Sequence, residues 1–285
     1  MKRKFGWTNV EIPVIGQGTW MIESGSRDDA EHLAIEALQL GLDLGLTHID
    51  TAEMYGNGKV EELVGEAIAG RRDEVFLVSK VLPSHASFEG TLNACKQSLK
   101  RLKTDWLDLY LLHWPSSSIP LRDTMRAMEK LVAEGLVRFI GVSNFDLEEL
   151  KEAEDSLRDE RIACDQVLYH LRYRGIERRL LPYCTERGIS VVGYAPFGHG
   201  NFPSPQSAGG RVLAEIAKLH GRTPRQVALN FLTRHPSIFT IPKNRLPERA
   251  RENSGGVGWA LTEDDVAAIN QAFPVPEYDT SLEMI

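Results

Sequence analysis

Short apolar, β-branched runs alternate along the whole chain with stretches whose apolar positions recur every three to four residues. The runs Val14–Trp20, Thr47–Asp50, Val75–Lys80, Trp106–His113, Val137–Val142, Gln166–Tyr169, Ser190–Tyr194 and Ile238–Ile241 read as strands. The helical period predicts Asp28–Leu44, Lys59–Ala69, Phe88–Leu102, Leu121–Glu134, Leu147–Leu157 and Ile176–Arg187 between them. Two helical pairs follow, Arg211–Leu219 with Pro224–Arg234, and Pro247–Asn253 with Glu263–Gln271. Asp28 and Asp29 fall in the first turn of the first helix and Gly45 just past its end, where acidic residues and glycine are favoured.

Eight strands each followed by helical material imply parallel pairing with right-handed crossovers. A single (β/α)8 TIM barrel over residues 1–285, with a short tail at 274–285, explains the count best, and a doubly wound sheet is the alternative. Segment 197–210, rich in Gly, Pro and Ser, lies between a strand and a helix and reads as a functional loop.

With 285 residues the chain buries a substantial core without disulfide staples. Its 33 basic and 40 acidic side chains leave a net charge of −7, which argues against a nucleic-acid binder. Cys95, Cys164 and Cys184 show no CxxC spacing and read as reduced core thiols of a cytoplasmic protein. No apolar stretch follows the basic residues 2–4, so neither an export signal nor a membrane span is expected.

Active sites of such barrels lie at the C-terminal ends of the strands. There the chain places Asp50, Lys80, His113, Ser143 with Asn144, and Tyr194, with Gln166 on the sixth strand and Tyr55 just beyond Asp50. Singly, each has an ordinary reading: a cap, a snorkelling lysine, a core histidine. Together they suggest more, because an ammonium ending an apolar strand needs a partner and Asp50 ends the neighbouring strand. A phenol, an ammonium, a carboxylate and an imidazole at one rim form a general-acid group, in which Lys80 is expected to lower the Tyr55 pKa and His113 to orient a carbonyl.

The group lacks an electron donor. Gly16-Gln-Gly18 begins a dinucleotide fingerprint, but Met21 stands where the third glycine belongs, and no P-loop is present. The segment Ile241–Asn253 follows the last strand and opens a helix, where free amide groups favour phosphate, and Lys243, Arg245 and Arg249 add positive charge.

The segments His48-Ile-Asp50-Thr-Ala-Glu-Met-Tyr55-Gly, Val78-Ser-Lys80, Leu111-Leu-His113-Trp-Pro115, Gly141-Val-Ser-Asn-Phe145 and Ile241-Pro-Lys243, with Arg249 and Glu252-Asn253, resemble the aldo-keto reductase superfamily. The likeness runs over about residues 5–273. Within the family, Leu168–Leu171, Arg174–Glu177 and Thr280–Met284 look like bacterial methylglyoxal and aldehyde reductases.

The resemblance implies an NADP(H)-dependent reductase of aldehydes and dicarbonyls, with Tyr55 as general acid and Asp50, Lys80 and His113 around it. It assigns Gly18, Thr19, Asp50, Ser143, Asn144, Gln166, Tyr194, Phe197 and Gly198 to the cofactor. Lys243, Asn244 and Arg249 would grasp its 2′-phosphate, and Glu252 and Asn253 its adenine. Trp20 and Trp114, with Tyr55 and His113, would line the substrate pocket. Ala195 and Arg245 depart from the common pattern, and the short tail suggests an open pocket. The partner is then a small carbonyl compound, with no metal, nucleic acid or membrane, and the chain a monomer or weak oligomer. An accessory cofactor-binding subunit and a Schiff-base aldolase with Lys80 as nucleophile are the competing classes.

Overall fold

The computed structural model describes residues 1–24 and 29–285, so Asp28 lies outside the described residues. An antiparallel hairpin, β1 (Lys2–Lys4) with β2 (Glu11–Pro13), precedes the main sheet. The sheet then follows chain order: β3 (Gln17–Gly18), β4 (His48–Asp50), β5 (Phe76–Val81), β6 (Leu107–Leu112), β7 (Val137–Ser143), β8 (Ile162–Leu168), β9 (Ser190–Tyr194) and β10 (Ile238–Ile241). Around it lie α1 (Ala30–Asp43), α2 (Lys59–Ala67), α3 (Phe88–Leu102), α4 (Leu121–Ala133), α5 (Leu147–Asp155), α6 (Leu180–Arg187), α7 (Ala208–His220), α8 (Pro224–Leu232), α9 (Pro247–Ser254) and α10 (Glu263–Ala272).

Every pairing in the eight-stranded sheet is parallel. The two edges meet through Gly16 N to Thr240 O (2.8 Å), Thr240 N to Val14 O (2.9 Å) and Gly18 N to Pro242 O (3.0 Å). The result is a closed (β/α)8 barrel. A Cβ on Gly18 would stand 2.5 Å from the Ile241 carbonyl oxygen, so this seam requires glycine. Only Gln17–Gly18 forms a regular ladder where a seven-residue strand was expected, because the segment bridges to β10 through isolated pairs.

Residues of β5, β6 and β8 are buried throughout, which is why β5 and β6 read as largely apolar runs. Alternate residues divide between two cores. Phe76, Val78, Leu109, Leu111, Cys164 and Val192 fill the barrel interior, while Leu77, Tyr110, Leu112 and Val142 pack outward under the helices. The three cysteines are buried and unpaired.

The hairpin was not legible in the sequence, since three-residue strands carry no measurable alternation. It brings Phe5 to the N-terminal end of the barrel, 5.2 Å from Phe76 and 5.1 Å from Phe239 by ring centroid. On β8 the ladder begins at Ile162 rather than Gln166, because the buried Asp165 interrupts the apolar run. The expected helix over 176–187 is a 3-10 turn, Gly175–Glu177, followed by α6. Among the described residues no helix is long and apolar enough to cross a membrane.

Candidate active site

At the C-terminal ends of the strands a cavity of about 490 Å³ opens. Strand periodicity puts Val78 and Lys80 on the inner face of β5, as it puts His48 and Asp50 on that of β4. The Lys80 ammonium uses all three of its N–H donors: to Asp50 Oδ1 at 2.6 Å, Thr51 O at 2.8 Å and Tyr55 Oη at 3.4 Å. Asp50 Oδ2 accepts from Gln166 Nε2 at 2.7 Å. A charge pair this deeply buried is tolerable because both ions are saturated with hydrogen bonds. Since the Tyr55 oxygen accepts from Lys80, its own proton remains available to the cavity.

Burial works to lower the Lys80 pKa, but Asp50 and Tyr55 outweigh it and the ammonium is held above its ordinary value. For Tyr55 the balance differs from expectation. Burial raises the phenol and Lys80 opposes this without reversing it, so the net shift is upward. Lys80 thus lowers the phenol as expected, but by less than burial raises it; Tyr55 stays protonated, which is the state a proton donor needs. The His113 imidazole is pushed well below its usual range by burial and by Lys80, so it is neutral. Its Nδ1 has no hydrogen-bond partner among the described residues.

The β7 end forms a second group. Asn144, in the left-handed region at φ 62°, donates through Nδ2 to His113 O at 3.0 Å and Ser143 Oγ at 3.1 Å. Its Oδ1 accepts from the Tyr194 hydroxyl at 2.8 Å. Ser143 Oγ donates to Gln166 O and Thr19 Oγ1 to Asp50 O, both at 2.8 Å. One hydrogen-bonded web thus joins β4, β7, β8 and β9 beneath a flat Tyr194 ring.

Gly18, Thr19, Trp20, Asp50, Tyr55, His113, Trp114, Ser143, Asn144, Gln166, Tyr194, Phe197 and Lys243 all line the cavity. Trp114 stacks on His113 at 3.9 Å between centroids. Lys80 lies behind Asp50 and Tyr55. Gly198 is in the loop but off the cavity wall, supplying a turn at φ 71°.

Asn244 does not point outward as a phosphate ligand would. Its side chain is fully buried and its Nδ2 donates to Gln17 Oε1 and to Ala37 O, so it braces the barrel seam. Arg245 is likewise engaged, donating to Ser24 O at 2.6 Å across to the loop after β3. Arg249 pairs with Glu252 at 2.7 Å. Asn253 is 1% exposed with neither end of its amide hydrogen-bonded among the described residues.

Among the wall residues that escaped sequence reasoning are His199 and Ile285. His199 packs against Trp20 at 4.9 Å between centroids, joining the loops after β3 and β9 across the cavity. Ile285 lines the cavity too, and its backbone faces the Tyr194 hydroxyl. The short tail thus contributes one residue to the cavity wall. Arg178 holds it through Asp279 (2.9 Å) and Pro276 O (3.1 Å), and Leu282 packs on the outer core. No periodicity marks a tail whose course is set by such contacts.

This barrel, with a tyrosine, a buried lysine–aspartate pair and a histidine at its rim, has the architecture of a carbonyl reductase. Residues 14–273 match the aldo/keto reductase family, and the chain belongs to it. It is 41% identical to methylglyoxal reductase YeaE of Escherichia coli, over 97% of this chain and 96% of that protein. Glyoxal reductase of Bacillus subtilis is 36% identical, over 92% of this chain and 89% of its own length. A crystal structure of an aldo/keto reductase from Klebsiella pneumoniae, in complex with NADP and acetate, superposes with a TM-score of 0.91 at 41% identity. That superposition covers 100% of this chain and 99% of the other.

Proposed function

We propose that this protein uses NADPH to reduce small aldehydes and dicarbonyls, with methylglyoxal first among them, to the corresponding alcohols. The observation that carries the reading is Lys80, which joins Asp50 and Tyr55 at the wall of the cavity. Similarity to a methylglyoxal reductase and a glyoxal reductase supports the substrate class.

The residues present fit the coenzyme. Asn253 holds a buried amide with unused donors and acceptor, as an adenine edge requires, and Lys243 makes no ion pair among the described residues. Asn144, Ser143 and Gln166 would hold the carboxamide, Tyr194 would lie against the nicotinamide ring, and Arg249 would face the 2′-phosphate. When bound, NADPH supplies a hydride for the carbonyl carbon.

The chain's own part is proton delivery and alignment. Tyr55 gives its phenolic proton to the carbonyl oxygen as negative charge grows there. Lys80, 3.4 Å from that phenol oxygen, stabilises the phenolate left behind, and Asp50 keeps the ammonium charged and in place. Neutral His113, with Tyr55 at 5.8 Å between ring centroids, orients the carbonyl by donating a hydrogen bond. Trp20, Trp114 and Ile285 wall the substrate side, where shape selects small carbonyls.

A Schiff-base role for Lys80 is disfavoured, because its amine is fully buried and all its donors are engaged. We read the working unit as a monomer or weak oligomer, and the unpaired thiols suit a reducing cytoplasm. The test is NADPH oxidation followed at fixed coenzyme across a panel of aldehydes, dicarbonyls and ketones. Methylglyoxal and related aldehydes should be turned over and simple ketones poorly; absence of turnover across the panel would sink the proposal.

A further inference from the structure

Arg225, in the first turn of α8, carries an exceptional environment for a residue outside every motif. Its guanidinium carbon lies 4.6 Å from the Phe197 ring centroid and 5.2 Å from that of Phe202. The two rings meet edge to face at 5.7 Å, and Phe197 is itself a wall of the active-site cavity. Such double stacking fixes the plane of a guanidinium while leaving its N–H edge unused.

The helix start that carries Arg225 is fastened to the end of α9. Thr223 caps α8 by accepting from Gln226 N at 3.2 Å and donates to Glu252 Oε1 at 3.0 Å. Gln226 Nε2 donates to the Glu252 carbonyl at 2.9 Å. Arg249 takes Glu252 Oε2 at 2.7 Å. The Glu252 carboxylate is thus already engaged on both oxygens. Arg225 makes no hydrogen bond or ion pair among the described residues.

A half-buried guanidinium with five donors and no acceptor is an unfavourable resting state. Burial and the neighbouring Arg249 both push the Arg225 pKa down, with Glu252 opposing. An anion brought to this junction would relieve both effects.

We propose that Arg225 is a coenzyme-specificity residue, which with Arg249 binds the phosphomonoester on the adenosine ribose of NADPH. The inference rests on the coenzyme reading given under Proposed function and extends it to a residue outside the family motifs found in the sequence. A planar guanidinium matches phosphate oxygens two at a time, and NADH offers it no such group. The Phe197 and Phe202 stack also ties the loop after β9 to the same contact.

Dissociation constants for NADPH, NADH and 2′,5′-ADP, measured by fluorescence titration, test this without turnover. Arg225→Gln should weaken NADPH and 2′,5′-ADP about tenfold or more, as loss of a charged hydrogen bond does, and NADH less than about twofold. Arg225→Lys should recover part of the loss, and the salt dependence of NADPH binding should become shallower in Arg225→Gln. Equal weakening of NADPH and NADH, or no change in either, would overturn the proposal while leaving the coenzyme reading intact. Failure of the unaltered protein to bind NADPH would overturn both.

Discussion

The Lys80 ammonium lies 2.6 Å from Asp50 Oδ1, with the two side chains 0% and 2% exposed. Removing one partner strands the other charge in the barrel interior. Lys80→Met should cost about 3–5 kcal/mol of stability, read by urea unfolding, and should lower turnover by about 10²–10⁴. A variant with parental stability and turnover would show that the pair is dispensable.

Tyr55→Phe separates chemistry from structure. Among the described residues the hydroxyl serves the fold only as the acceptor of one 3.4 Å bond, so the melting temperature should shift by less than about 2 °C. Turnover should fall by about 10²–10⁴ with NADPH affinity within about twofold of the parent. Stopped-flow reduction rates and coenzyme titration provide the two readings.

The pH profile follows from opposite shifts on two groups. Tyr55 is raised, so its proton-donating form persists through neutral pH and is lost only as pH climbs through that raised value. His113 is lowered well below its ordinary value, so it stays neutral down to acidic pH. Single-turnover reduction should therefore be flat from about pH 6.5 to about pH 9 and decline only in the alkaline range. A step near pH 6.5 would mean that His113 titrates normally and the geometry around it is misread.

Asp165 on β8 is fully buried and no side chain among the described residues engages either carboxyl oxygen. Burial raises it well above the usual carboxylate range, with a backbone bond from Phe145 opposing. The native state thus holds this proton more tightly than the unfolded chain does. Its contribution to stability is complete below the unfolded value and is lost as pH rises from there through the raised folded value. Asp165→Asn should gain about 1–3 kcal/mol over the parent at pH 8, a gap that narrows toward pH 4. Calorimetric unfolding at both pH values decides it; a gap that widens in acid would contradict the assignment.

Phe5→Ala should cost about 3–5 kcal/mol in urea unfolding, because the ring is fully enclosed between Phe76 and Phe239. The site is at the other end of the barrel, so coenzyme affinity should change by less than about twofold in the folded variant.

The alternation of apolar runs and helical periods determined the barrel, because a strand covered on both faces must be apolar throughout. The same pattern made Asp50, Lys80, His113 and Tyr194 stand out, as polar groups at the ends of such runs are costly unless paired. The direction of the Tyr55 shift was beyond it. Whether burial or Lys80 dominates depends on how much water the phenol loses, which is a property of the assembled cavity.

Asn244 and Arg245 show the same limit. Both sit in a segment rich in phosphate-binding signals, yet one is turned into the barrel seam by Gln17 and the other is tied to Ser24. Ile285 reaches the cavity through Arg178 and Asp279, and Arg225 is held by a stack on two loop phenylalanines rather than by a carboxylate. Periodicity and motif spacing are local, so the sequence by itself determined the eight strands of the barrel and which residues reach their ends. Only the tertiary structure decided which of those side chains keep a free hydrogen-bonding edge, because that depends on partners brought from distant parts of the chain.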